Sequence, residues 1–126
     1  MKEEFVTYEI AKKLEAKGMG NDGNYGYNDK GEICIPVYNL DDDQVKAMCP
    51  CPQIHEVLKW LRDEKKLYIS IEPHSNDDFS TKIMWTWDAA YINSDCKFQW
   101  YDGEFGFDSY EKAAVSAIEY VIDKLI

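Results

Sequence analysis

The chain has 126 residues, 24 acidic against 14 basic side chains, 45% apolar and 14% aromatic residues, and a formal charge of −10. A chain of this length buries roughly two-thirds of its unfolded surface, enough for one hydrophobic core without disulfide or metal staples. Thirteen of the fourteen basic residues are lysines and only Arg62 is an arginine, so bidentate phosphate and base-edge clamps are nearly absent and no direct nucleic-acid binding is expected.

Residues 5–18 predict a first helix: Thr7 suits the N-cap, Ile10, Ala11 and Leu14 recur at helical spacing, and Gly18 suits the end. Asn28-Asp29-Lys30-Gly31 reads as a turn joining a short strand near 24–28 to another near 32–38, and Pro36 predicts that the second lies at an edge or ends early. A polar, acidic connection is expected over 39–51, with Asp41-Asp42-Asp43 at its start. The second helix should begin at Pro52 and run to about Lys66, since Ile54, Val57, Leu58 and Leu61 form an apolar stripe. An alternating strand is predicted over 67–71, stopped by Pro73, with a polar loop from His74 to Ser80. A strand follows over 82–87, in which Ile83, Trp85 and Trp87 share one face and Lys82, Met84 and Thr86 the other, and a further strand covers 97–101. Asp108 stands three residues before Glu111 in a capping-box arrangement, and Ala114, Ala117, Ile118, Val121 and Leu125 line one side of the last helix.

The order helix, two strands, helix, three strands, helix lacks the alternation of a parallel doubly wound sheet. It predicts an α+β fold: a mainly antiparallel sheet of about five strands with three helices packed on one face. No linker or internal repeat divides the chain, so one domain over 1–126 is expected. No run approaches the ~20 apolar residues that a membrane span needs, and no apolar signal core follows Met1-Lys2-Glu3-Glu4, so the expected location is cytoplasmic, with no membrane partner.

Glu4-Phe5-Val6-Thr7-Tyr8-Glu9-Ile10-Ala11, Val57-Leu58-Lys59-Trp60-Leu61-Arg62-Asp63-Glu64-Lys65 and Tyr110-Glu111-Lys112-Ala113 resemble a group of small uncharacterised proteins from phages and prophages of gut bacteria. The similarity touches all three predicted helices. It implies an accessory protein made inside a bacterial host cell, and it brings no catalytic residue with it.

Candidate chemistry is sparse. Cys49 and Cys51 precede His55 by six and four residues, and Cys34 or Cys96 would have to complete a zinc tetrahedron; structural zinc prefers C-x₂₋₄-C pairs, whereas these cysteines are one residue apart. Free, partly buried thiols are the simpler expectation, and no metal or cofactor is assigned. Cys51 near the start of the second helix, with His55 one turn on, is also the weak candidate for a thiol nucleophile, but its nearness to Ile54 and Leu58 favours burial, and no third orienting group is evident. An EF-hand-like window at 21–32 fails because Gly23 and Tyr25 stand where carboxylates are needed. The signatures G-x-x-x-x-G-K-[ST] and G-x-S-x-G are missing.

Charge is distributed unevenly. Residues 72–111 hold 9 acidic and 2 basic side chains, against 13 and 10 in residues 1–71. The acidic stretch also holds Trp85, Trp87, Trp100, Tyr91 and Tyr101. Alternation along a strand forbids Trp100 and Tyr101 from both facing the core, so one should reach the other side of the sheet. Trp100, Tyr101, Tyr91, Asp95, Asp102 and Glu104 are therefore the expected partner-binding residues. The expected function is protein–protein contact through an acidic, aromatic sheet surface, without a catalytic set. The rival expectations are a DNA mimic that inhibits a host DNA-binding enzyme and a small thiol-dependent enzyme or zinc protein using Cys51 and His55. An exposed edge strand would also suit a homodimer.

Overall fold

A computed structural model describes residues 5–19, 26–28, 30–34, 49–75 and 83–126. It is α+β, with three helices and antiparallel sheet. Where the sequence shows no linker, the chain clusters into two compact units, Met1–Gln53 and Ile54–Ile126.

In the first unit, helix α1 spans Tyr8–Ala16 and is capped by Thr7, whose hydroxyl accepts from the Ile10 N–H at 3.3 Å. Phe5 and Val6, expected inside this helix, instead run before it: Phe5 bridges Gln53 and the Val6 N–H donates to the Pro52 carbonyl at 3.2 Å. Gly18, at φ +96°, takes the left-handed conformation that ends a helix. Ile10, Ala11 and Leu14 are buried, which is what their spacing predicts. Short strands β1 (Gly26–Tyr27), β2 (Ile33–Cys34) and β3 (Cys49–Pro50) form a sheet in the order β2-β1-β3. The turn between β1 and β2 is held by the Asn28 carboxamide oxygen, which accepts from the Lys30 and Glu32 N–H groups at 2.9 Å each. Cys49 and Pro50, expected in a connection, thus form a strand paired with β1; Pro36 and most of that expected connection lie outside the described residues.

The second unit opens with helix α2, Ile54–Glu64, whose Ile54, Val57 and Leu61 are buried. Pro52 precedes this helix and does not begin it, and Lys66, at φ +58°, ends it and leads into the sheet. Strands β4 (Leu67–Ser75), β5 (Ile83–Ile92) and β6 (Phe98–Phe107) form an antiparallel meander in the order β4-β5-β6. The described strands therefore make two three-stranded sheets, where one sheet of about five was expected. Pro73 does not stop its strand: β4 is an edge, where a missing N–H breaks no ladder, so pairing continues through Pro73↔Trp85 and His74↔Met84. Helix α3 runs Tyr110–Lys124. Its N-cap is Ser109, whose hydroxyl accepts from the Lys112 N–H at 3.1 Å; Asp108, expected in that role, pairs with the Lys112 ammonium at 3.0 Å. Along α3, Ala113, Ala114, Ala117, Ile118, Val121 and Ile122 are buried.

Helix α3 covers the sheet face that carries Trp85 and Trp87. Trp87 is fully buried, its ring lies 5.3 Å from that of Tyr120, and its indole N–H donates to the Ser116 hydroxyl at 3.3 Å. Trp85 meets Tyr110 edge-on at 5.5 Å. Helix α2 packs against β4 and α3. No helix of the described residues is long and apolar enough to cross a membrane.

Candidate functional site

Cross-strand partners point to the same side of a sheet and neighbours along a strand to opposite sides. With Trp87 facing α3, the even-numbered positions of β4 and β5 face away from that helix, and on β6 the same side is carried by Phe98, Trp100, Gly103 and Phe105. Three of these are large and open to water: Phe98 is 54%, Trp100 56% and Phe105 79% exposed. They form two groups. At one end Tyr68 meets Phe98 edge-on at 5.5 Å and Phe98 stacks on Trp100 at 6.0 Å; at the other the rings of His74 and Phe105 lie 6.4 Å apart. Ala90, between Tyr68 and Trp100 on the adjoining strands, points outward yet is buried.

Two bulges shape β6. Register shifts between Ala89 and Ala90 and between Trp85 and Thr86 leave Tyr101 and Gly106 as the extra residues, and Gly106 takes φ +97°. The first shift places Tyr101 beside Tyr91, with ring centroids 4.8 Å apart, while Trp100 stays outward. Trp100 and Tyr101 thus take opposite sides, as alternation requires, and both are exposed. Asp95 lies in the exposed turn after β5, where the Asn93 carboxamide oxygen accepts from the N–H groups of Asp95 at 2.9 Å and Lys97 at 3.2 Å. Asp102 and Glu104 are exposed on β6 opposite Ala89 and Trp87, on the side away from Trp100.

The outward carboxylates are Glu72 and Asp88, which the sequence reading did not single out. It also passed over Phe98, Phe105 and Tyr68. The alternation Phe98-Gln99-Trp100 was a usable signal for Phe98; Phe105 lay beyond the expected end of its strand. An alanine-sized group at Gly103 would collide with the Asp88 carboxylate and stand 2.7 Å from the Trp87 carbonyl oxygen, so the carboxylate occupies the space a side chain at 103 would need.

Of the thiol candidates, Cys49 and Cys51 are buried in the first unit, and His55 is exposed on α2. Burial, with Glu15 and Cys51 nearby, pushes the Cys49 thiol up to about 11, which starves it of the thiolate that nucleophilic attack and metal binding both need. Burial also raises the Tyr27 phenol, aided by Cys51 and Cys49; its hydroxyl donates to the Val6 carbonyl. Cys96 is exposed at φ +61° in the turn after β5. Among the described residues no three His, Cys, Asp or Glu side chains are grouped to hold a metal ion.

The expectation that the chain has no G-x-G-x-x-G pattern needs correction. Gly18-Met19-Gly20-Asn21-Asp22-Gly23 has the G-x-G-x-x-G spacing, but it follows a helix, whereas a dinucleotide-binding loop follows a strand and opens a helix. No protein-family model, curated protein or solved structure gives a significant match to this chain.

Proposed function

We propose that the protein acts by protein–protein contact through the outward face of β4-β5-β6, as an accessory protein of phage or mobile-element type working in a bacterial host cell. The observation that carries this reading is the exposure of Phe98, Trp100 and Phe105 on the side of the sheet away from α3. Side chains of this size gain roughly 1.5–3 kcal/mol each when they leave water, a gain this face realises only under a partner. Tyr68, Ile92 and Met84 share the side and extend it. DNA mimicry is the weaker reading, because the carboxylates divide between the two sides: Glu72 and Asp88 face outward, Asp102 and Glu104 the other way, and Asp108 is neutralised by Lys112. Duplex DNA presents one charge per ~1.7 Å of axis, which so divided a set does not approach.

The test is site-specific photo-cross-linking in a bacterial lysate. A photo-reactive phenylalanine analogue at position 105 should give discrete adducts that the same analogue at Glu119, exposed on α3, does not. Equal adducts at both positions, or none at 105, overturn the reading.

A further inference from the structure

We infer that Asp88 and Glu72, set between the aromatic groups of Trp100 and Phe105, seat the lysine or arginine side chains of an extended basic segment in a partner protein. This rests on the contact-surface reading above and gives that partner its chemistry.

The outward row of β6 reads Phe98, Trp100, Gly103, Phe105, so the glycine interrupts an aromatic row opposite Asp88. The Asp88 carboxylate fills the interruption, since it lies where a side chain at 103 would stand. An acid with aromatic residues on either side of it along the row suits a cation twice over, by charge and by the quadrupole of the rings. Glu72 faces the same way, one pair along: Asp88 is opposite Ser70, and Thr86 is opposite Glu72. Such diagonal neighbours stand roughly 7–8 Å apart, and alternate side chains of an extended chain repeat at about 7 Å, so two basic residues of one strand-like segment match the two acids.

Charge complementarity excludes the acidic and favours the basic occupant. Among the described residues no lysine or arginine stands at an outward position and neither Asp88 nor Glu72 forms an ion pair, while the Glu72 carboxylate accepts from the Ser70 hydroxyl at 3.3 Å. The edges of the sheet are poor docking sites by comparison. Pro73 interrupts donors along β4, and two bulges with Asp102 and Glu104 spoil β6, so strand addition by a second copy would also set like charges against each other. The segment therefore lies across the face.

The probes are a synthetic peptide alternating lysine and threonine and its twin with glutamine for lysine, titrated against the full chain by calorimetry. The lysine peptide should bind about tenfold or more tightly than its twin, the worth of one charge-assisted hydrogen bond, and lose that advantage in high salt. The double variant Asp88→Asn with Glu72→Gln keeps side-chain shape and should keep the melting temperature while erasing the preference; Trp100→Ala should weaken both peptides. Equal binding of the two peptides by the unaltered chain, or a preference that survives the double variant, overturns the proposal. So does a dimer in sedimentation that Phe105→Ser dissolves, because the occupant is then a second copy. If adducts persist at position 105 while the peptides bind alike, the contact surface stands and its basic partner falls; if adducts also vanish, both fall.

Discussion

The two sides of β4-β5-β6 are built from alternate residues of the same strands, yet they end in opposite environments. On one side Trp87 is enclosed by Ser116 and Tyr120 and Trp85 is met by Tyr110; on the other Trp100 and Phe105 carry similar ring area into water. Composition alone does not separate these fates. What separates them is the helix, whose alanines at 113, 114 and 117 are buried and whose small side chains allow a close approach to the rings below. The indole on the covered side serves stability, because its area and its N–H are both satisfied within the unit. On the open side the same chemistry adds little to folding and is available for association.

The largest expected effect tests that division directly. Trp87→Ala should lower unfolding free energy by about 3–5 kcal/mol, whereas Phe105→Ala should stay within about 0.5 kcal/mol, both read from urea titrations with unchanged slope. Comparable losses at the two positions would mean that the open face is packed in solution, and the contrast between the sides would be broken.

A smaller effect is expected at Gly103, on the outward side. Gly103→Ala places a methyl group against the Asp88 carboxylate and 2.7 Å from the Trp87 carbonyl oxygen, and overpacking of this kind costs about 1–3 kcal/mol. The carboxylate is the end of a side chain that swings aside, whereas the carbonyl belongs to β5 itself. Adding Asp88→Ala should therefore restore only part of the lost melting temperature. Full recovery would place the whole conflict at the carboxylate, and no loss in the single variant would show β5 and β6 free to part.

Much of this arrangement was legible in the sequence, for identifiable reasons. The stripes Ile10-Ala11-Leu14 and Ile54-Val57-Leu61 repeat at 3.6 residues and become buried helix faces, and Asn28 with Gly31 carries its own turn chemistry. The shared face of Trp85 and Trp87 and the opposite sides of Trp100 and Tyr101 follow from alternation, whereas which of those sides lies away from α3 depends on packing. The lengths of the strands did not follow. Pro73 reads as a stop unless β4 is known to be an edge, and the last strand reads as ending at Tyr101 unless the bulge there is known to carry it on to Phe107. Both facts are set by pairing with β5, at long range. Glu72, Asp88 and Phe105 were missed for that reason: each lies past the point where local pattern ended its strand. The acidic excess of 72–111 was visible as a count, while its division between two sides depends on register.

The smallest effects concern how the cover of the inner side begins. Ser109 accepts from the Lys112 N–H at the first turn of α3, so Ser109→Ala should cost about 1 kcal/mol, as loss of an N-cap does. Asp108 pairs with the exposed Lys112 ammonium, at 3.0 Å. Asp108→Ala should therefore change stability by roughly 0.5 kcal/mol or less and, being a surface ion pair, should show no difference from the unaltered chain in high salt. Thermal melts of the two variants side by side distinguish the residues. Equal losses would return the cap to Asp108 and its capping box with Glu111. A larger loss at Ser109 that leaves peptide binding to the outward face intact would show that the helix supports only the side it covers.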